Sequence, residues 1–170
     1  YDNGSNVIQT TRKQRYHTAP ASQTGPLADP DTNPKARVTY AATWPDALGR
    51  TQATANYGTN GGSTFTRPST IPARSDTILV NSQTYTDAGD VFETTDPIGM
   101  VTRFAYDDAG RQTTVIENYE ESSSSSGSSS SGDDCAPPAD ANRTTQYTYN
   151  ADGNQATMTA VNSRTGNQTT

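Results

Sequence analysis

The chain has 170 residues, a formal net charge of −6 and a single cysteine. One cysteine excludes an internal disulfide framework, and the negative charge without a basic stripe argues against a nucleic-acid binder. Only 15 residues are leucine, isoleucine or valine whereas 29 are threonine, so we do not expect a thick globular core. No apolar run approaches the roughly 20 residues that span a bilayer, so no membrane span is predicted.

The first 36 residues carry a weak pattern. "YDNGSN" at residues 1–6 is a weak copy of a turn that recurs later, with Ser5 where the later copies have glycine and Gly4 just before it. "RKQR" at residues 12–15 is the only basic cluster, and we interpret it as the solvated face of a strand. Residues 18–36 are interpreted as a long connection.

The recurring turn is clearest in "YDDAGR" at residues 106–111, whose template is an aromatic residue, an acidic or polar residue, two small linkers, glycine and a polar residue. "YTDAGD" at 85–90 and "YNADGN" at 149–154 fit this template, and "PDALGR" at 45–50 fits it with Trp44 displaced by one place from the aromatic position. Glycine at the end of such a turn supplies a positive φ without Cβ strain. Aspartate or asparagine before it accepts hydrogen bonds from amides downstream.

The turns recur at a nearly fixed period. The copies begin at residues 1, 45, 85, 106 and 149, and the intervals of 44, 40, 21 and 43 are close to one or two multiples of 21. "DPIG" at residues 96–99 adds a turn between two copies, so the chain turns about every ten residues. Fixed-period self-similarity of this length indicates a repeat architecture, and disordered segments rarely keep aromatic residues in register.

The segments between the turns are rich in β-branched and aromatic residues with partial alternation, which predicts strands. The predicted strands are residues 77–85, 91–95, 101–106, 112–119 and 144–149. No stretch has a convincing helical stripe, and "GTNGGS" at residues 58–63 is predicted to be a turn. The fold class is therefore predicted to be all-β, an antiparallel ribbon of hairpins with a period of about 21 residues and no helices of note.

A low-complexity insertion divides the chain into three parts. Residues 120–143 are dominated by serine and glycine and are closed by Pro137 and Pro138, so they are predicted to be a flexible loop. The predicted organisation is a hairpin segment at 1–119, the insertion at 120–143, and a continuing hairpin segment at 144–170.

"DPIGMVTRFAYDDAGRQTTVIENY", residues 96–119, resembles the YD repeat of the RHS family, with its Asp-Pro-x-Gly and Tyr-Asp-x-x-Gly-Arg halves. The resemblance is specific over residues 85–119, good at 149–161 and loose over 1–76. It implies a long antiparallel ribbon coiled into a spiral, hollow shell or a β-solenoid-like body. It also implies a large secreted or surface-exposed protein, and many bacterial members enclose a C-terminal toxin.

Candidate chemical sites are weak. Asp29, Asp31 and Asn33 have the spacing that opens a calcium loop, but proline stands where that loop needs its glycine and no bidentate glutamate follows. His17 is the only histidine, and no nucleophile motif accompanies it. Cys135 lies in a polar stretch. We therefore expect no enzyme, no metal and no cofactor.

Three further features of the sequence are interpreted as having no chemical role. The Asp-Pro-x-Gly turn resembles the self-cleavage motif of some RHS proteins, but a standard repeat half follows it directly, so a simple turn is predicted at residues 96–99. Adjacent Asp107 and Asp108 do not suggest an acid–base pair. Three acceptor patterns for N-glycosylation, at Asn3, Asn142 and Asn167, are expected by chance in so threonine-rich a chain.

The roles assigned from sequence are structural. The predicted turn residues are Gly49, Gly89, Gly99, Gly110 and Gly153, and the predicted stacking residues are Trp44, Tyr85, Tyr106 and Tyr149. The leading hypothesis is an extracellular repeat segment that forms the wall of an RHS shell or a filament. An adhesin surface, on which exposed tyrosines and Trp44 contact carbohydrate, is the alternative, and the casing of a toxin outside these residues is the third.

The expected partners are neighbouring repeats of the same or identical chains, with glycans as an alternative and no nucleic acid. Because the chain starts at Tyr1 inside a repeat and neither end shows a cap, we expect a fragment of a longer protein. We expect it to be ordered only within a larger body, either a longer polypeptide shell or a head-to-tail filament. Its predicted localisation is secreted or at the cell surface.

Overall fold

The computed structural model describes residues 1–22, 25–27, 34–121, 141–161 and 168–170. These residues form two compact units, one from Tyr1–Gln83 with Asp96–Gly99 and one from Thr84–Thr95 with Met100–Thr170. Regular structure in the described residues is almost entirely strand, with a single 3₁₀ turn at Asn60–Gly62. The predicted all-β antiparallel fold without a helix of note is therefore confirmed.

The first unit contains four consecutive antiparallel strands. They are β1 (Gln9–Arg15), β2 (Ala36–Pro45), β3 (Thr51–Gly58) and β4 (Leu79–Tyr85), whose last two residues belong to the second unit. Each pairs with the next, with registers that include Arg12↔Thr39 and Ala55↔Val80. The basic residues of β1 are exposed except for the half-buried Arg15, as expected for a solvated strand face.

A small core covers one face of this unit. Alternate residues of β2 and β3 are buried, and they form a cluster with one residue of β4; its members are Ala42, Trp44, Ala53, Ala55, Tyr57 and Val80. Three of the six are alanines, and their small side chains leave room for the two large rings. Phe65 and Ile78, from the segment between β3 and β4, pack over the cluster, and the ring of Phe65 lies 4.3 Å from that of Tyr57.

The second unit contains six strands in consecutive antiparallel order. Its strands are β5 (Val91–Thr95), β6 (Val101–Tyr106), β7 (Gln112–Glu117), β8 (Arg143–Tyr149), β9 (Gln155–Val161) and β10 (Gln168–Thr169). None of the described residues in this unit is fully buried. Threonine hydroxyls pair across strands instead, with Oγ1–Oγ1 distances of 2.6 Å for Thr148 and Thr157 and 2.8 Å for Thr159 and Thr169.

The boundaries of the five predicted strands differ little from those observed, whereas β2, β3 and β9 were not among the predicted strands. β5 and β6 have the predicted limits, whereas β7 ends at Glu117 because Asn118 has a φ of 49° and leaves the extended conformation. β4 begins at Leu79 because Ser75 and Ile78 exchange backbone hydrogen bonds in a tight turn just before it. Most of the predicted insertion, residues 122–140, lies outside the described part of the chain, and β8 starts at Arg143.

Candidate functional site: the repeated turns and the contacts between them

Five turns share one backbone geometry. In each, the amide of the first residue donates to the carbonyl of the fifth at 2.7–3.1 Å, and the amide of the fourth donates to the carbonyl of the first at 2.9–3.2 Å. We call these the five-residue turns; they comprise residues 2–6, 46–50, 86–90, 107–111 and 150–154. The repeat seen in the sequence is therefore a repeat of hydrogen bonding.

The first residue of the turn holds the loop with its side chain. Oδ1 of Asp107 accepts the amides of Ala109 at 3.0 Å and Arg111 at 2.9 Å, while Oδ2 accepts Nε of Arg111 at 2.8 Å. Asp46 makes the same bonds to Leu48 and Arg50. An aspartate at position one with an arginine at position five thus closes the turn twice, through the backbone and through an ion pair.

Asparagine and threonine fill the same position without an ion pair. Oδ1 of Asn150 accepts the amides of Asp152 at 3.1 Å and Asn154 at 2.9 Å. Oγ1 of Thr86 accepts the amide of Asp90 at 3.1 Å. The backbone turn therefore requires only a short side chain with an acceptor oxygen, which is the property that Asx and ST turns use.

The fourth residue of each turn lies in the left-handed region. The predicted turn glycines have φ values of 81° at Gly49, 101° at Gly89, 74° at Gly110 and 84° at Gly153. Ser5 takes this position in the first copy, with a φ of 63°. A non-glycine residue there is strained, since L-residues avoid the left-handed region.

The predicted turn at residues 96–99 has four residues, one fewer than the five-residue turns. The amide of Gly99 donates to the carbonyl of Asp96 at 3.1 Å, and Gly99 has a φ of 94°. Oδ1 of Asp96 accepts the amide of Ile98 at 2.9 Å. The carboxylate of Asp96 is thus engaged in holding the turn, in line with the interpretation of this motif as structural.

A bulge follows three of the turns at the same place. Register shifts leave one extra residue three positions after the turn glycine; these residues are Gln52, Thr113 and Ala156. Such a bulge changes the direction of the side chains that come before and after it. The position just before the turn, occupied by Pro45, Tyr106 or Tyr149, is therefore set by the bulge as well as by the turn.

Tyrosine at that position ties one hairpin to the previous one. The hydroxyl of Tyr106 donates to the carbonyl of Val91 at 2.9 Å, and that of Tyr149 donates to the carbonyl of Gln112 at 2.6 Å. Val91 and Gln112 each lie two residues after a turn glycine, so the two contacts are equivalent. Tyr85 occupies the same place at the end of β4 and is half-buried.

In the second unit, the residue at position five of a turn lies beside the tyrosine that precedes the next five-residue turn. The guanidinium of Arg111 lies 4.7 Å from the ring centroid of Tyr149 while it is paired with Asp107. At Tyr106 the corresponding residue is Asp90, and the pKa of Tyr106 is raised by burial and by the charge of Asp90. The predicted stacking role thus takes the form of hydroxyl and arginine contacts.

Trp44 differs from the role assigned to it in the adhesin alternative. It is 4% exposed, its Nε1 donates to the carbonyl of Pro68 at 3.2 Å, and the guanidinium of Arg67 lies 4.8 Å from its ring centroid. The expectation of an exposed Trp44 that contacts sugars is wrong, because the residue faces the core of the first unit. Pro45, not Trp44, takes the tyrosine position of the repeat.

The structure places none of the other candidate residues that it describes in a chemical site. His17 is exposed in a turn, and no group of three or more potential metal ligands occurs among the described residues. Asp29, Asp31, Asn33, Cys135 and Asn167 lie outside the described residues. The amide of Asn142 is bonded to the backbone of Glu120, with Oδ1 accepting from the amide nitrogen at 3.0 Å. Asn3 is exposed.

The aspartate–arginine pairing was missed in the sequence. The signal was present, because aspartate at position one accompanies arginine at position five in two turns, and asparagine occupies both positions in a third. This spacing of four residues in a closed turn brings the two side chains together.

We expect Asp107→Asn to make the protein less stable at neutral pH and its stability less dependent on acid. The side-chain and backbone hydrogen bonds from Arg111 lower the pKa of Asp107. The contribution of this carboxylate to stability is therefore complete above its unfolded-state pKa, about 4, and is lost as the pH falls through the lower folded value. Urea denaturation at several pH values between about 2 and 7 measures the change.

Asn150 shows that the turn accepts asparagine, so the variant is expected to fold. Asp108→Asn is the matched control, since Asp108 is exposed in the same turn. Equal pH dependence in the Asp107→Asn variant and the unchanged protein would contradict the assignment.

Residues 85–118 match the family model described as RHS Repeat. The match contains Tyr106, the turns at 86–90 and 107–111, and the contact between Tyr106 and Val91. The resemblance to the RHS family is thereby confirmed for these residues. No curated protein matches the chain at a significant level. Within the described residues, no helix is long and apolar enough to cross a membrane.

Proposed function

We propose that this chain, which carries an RHS repeat at residues 85–118, forms part of the wall of an RHS shell or of a filament built from the same hairpins. Its role in this proposal is structural and not catalytic, and its place is outside the cell or on the cell surface. The partners are neighbouring repeats in the same chain or in identical chains.

One observation carries the proposal, namely that the contact between hairpins is itself repeated. The hydroxyl of Tyr106 reaches the residue two places after Gly89, and that of Tyr149 reaches the residue two places after Gly110. The hairpin around residues 107–111 therefore provides both a tyrosine for the acceptor of the previous hairpin and an acceptor for the tyrosine of the next one. Such a rule is extended by adding hairpins, as in repeat proteins whose units contact mainly their neighbours.

The weak burial of the second unit also supports a wall. Its described residues are at most half-buried, and threonine hydroxyls and arginine–aromatic contacts connect its strands. A sheet of this kind is held by its ladders and cross-strand contacts, so it does not depend on a thick core.

The two forms of the proposal are tested separately. For the filament, size-exclusion chromatography with light scattering of the 170 residues is expected to give large species. For the shell, electron microscopy of a longer polypeptide that contains the RHS repeat is expected to give enclosed particles. A cooperatively folded monomer of 18.1 kDa together with solid, non-enclosed particles of the longer chain would overturn the proposal.

A toxin casing is a shell that encloses a toxin. Electron microscopy of the longer polypeptide tests this form by showing whether the particles contain material. The adhesin alternative loses Trp44 as its contact residue, because this side chain is buried. The hydroxyls of Tyr106 and Tyr149 are likewise engaged with backbone carbonyls. We therefore favour the wall.

A further inference from the structure

An open cleft lies between two consecutive turns of the second unit. Its volume is about 520 Å³, within the range of small-ligand sites. The residues that matter for its chemistry are three aromatic and three acidic side chains: Phe92, Phe104, Tyr106, Asp90, Asp107 and Asp108. Neither lysine nor arginine is among the described residues that line it. We call it the Tyr106 cleft.

Arginines of this chain repeatedly lie between an aromatic ring and a carboxylate. Arg111 is 2.7 Å from Asp107 and 4.7 Å from the ring centroid of Tyr149. Arg103 is 2.7 Å from Glu93 and 3.7 Å from the ring centroid of Tyr119. A guanidinium suits such a place, since it stacks on a ring face and bonds to carboxylate oxygens with the same planar group.

The Tyr106 cleft has the aromatic ring and the carboxylates of such an arginine site, but an aspartate occupies the position of the arginine. Tyr106 and Tyr149 are equivalent, because each hydroxyl donates to the carbonyl two residues after a turn glycine. Arg111 follows Gly110 and covers Tyr149, whereas Asp90 follows Gly89 beside Tyr106. Asp90 thus occupies the position beside Tyr106 that Arg111 occupies beside Tyr149. The Tyr106 cleft is therefore negatively charged at the point where the surface over Tyr149 is positively charged.

We infer that the Tyr106 cleft binds the guanidinium of an arginine side chain supplied by another polypeptide segment. Asp90 and Asp108 provide the carboxylates, since Asp107 is already paired with Arg111. Phe92, which is 41% exposed and also has the guanidinium of Arg103 5.4 Å from its ring centroid, provides apolar surface for the methylene groups of the bound arginine. The inference goes beyond the wall role, since it identifies a place at which a wall of this kind receives a basic partner.

Binding is tested with the full chain and two short peptides of equal size. One peptide is acetyl-Gly-Arg-Gly-amide, and the other carries neutral citrulline in place of arginine. NMR titration is expected to shift the signals of Phe92, Phe104 and Tyr106 with the arginine peptide, and to show affinity at least about tenfold weaker for the citrulline peptide. Salt is expected to weaken the binding, because the cleft is open to solvent.

Substitutions of Asp90, at position five of its turn, test whether the peptide binds in the cleft or merely responds to the negative charge of the protein. Asp90→Asn is expected to weaken the arginine peptide by about tenfold, and Asp90→Arg is expected to abolish its binding by restoring an internal arginine. Asp87→Asn is the matched control, because Asp87 is exposed in the same turn and does not line the cleft. It is expected to leave the affinity unchanged.

Four results would overturn the inference. The first three are equal affinity for the two peptides, no shift of the three aromatic signals by either peptide, and full binding to the Asp90→Arg variant. The fourth is a neutral oligosaccharide that shifts the same signals and binds the unchanged protein and the Asp90→Asn variant with equal affinity. This result would assign the cleft to sugars. None of these results bears on whether the hairpins form a wall, which chromatography and microscopy decide.

Discussion

Trp44→Ala is expected to lower the free energy of unfolding of the first unit by about 3–5 kcal/mol, which is typical of removing a large buried aromatic side chain. Trp44 is 4% exposed and packs in a cluster of only six buried residues, so little else can fill the space. The change also removes the hydrogen bond to the carbonyl of Pro68 and leaves Arg67 without its ring. Urea denaturation monitored by circular dichroism measures the loss.

Leu48→Ala is the control for this loss. Leu48 is 78% exposed in the turn that follows the same strand, so its removal is expected to change the stability by less than about 0.5 kcal/mol. A Trp44→Ala variant that is as stable as the Leu48→Ala variant would show that the core is not where the structure puts it.

Gly110→Val is expected to destabilise the second unit by roughly 1–3 kcal/mol, since a β-branched residue is strained at positive φ. Gly110 has a φ of 74°, and a Cβ built there meets no atom within 4 Å. The expected loss therefore comes from the backbone conformation and not from a clash of the added Cβ atom. Thermal unfolding of the variant measures it, and an unchanged midpoint would mean that the turn assignment is wrong.

Two companion changes isolate the conformational cause. Ala109→Val places the same side chain at the preceding, exposed position of the turn and is expected to be much milder. Ser5→Gly is the reverse change, because Ser5 has a φ of 63° at the equivalent position. It is expected to raise the stability by about 1 kcal/mol, and a decrease would contradict the equivalence of the turns.

The site was predictable in outline, because its backbone is specified locally. The tyrosine, the residue that opens the turn and the turn glycine lie within a stretch of six residues, so a single copy such as residues 106–111 contains the whole pattern. The acceptors of the tyrosines were not predictable, because Gln112 lies 37 residues from Tyr149. Only strand pairing brings them together.

Sequence by itself determined the class of fold and the positions of the turns. Threonine and tyrosine between turns of fixed geometry favour strands, and glycine at the fourth position of a turn has few alternatives. Both are properties of a few neighbouring residues. The limits of β5 and β6 follow from them without reference to the rest of the chain.

Tertiary structure decided which faces are buried and what each aromatic residue contacts. Trp44 is one residue from the tyrosine position, and because side chains of a strand alternate between its faces, this displacement sends it into the core. The segment that carries Phe65 covers that core, although its sequence has no strand or helix pattern. Asp90 likewise lines the cleft with Tyr106, 16 residues later, because the strand pairing places the two side by side. Burial and charge pairing are properties of residues brought together from separate strands, and no local pattern contains them.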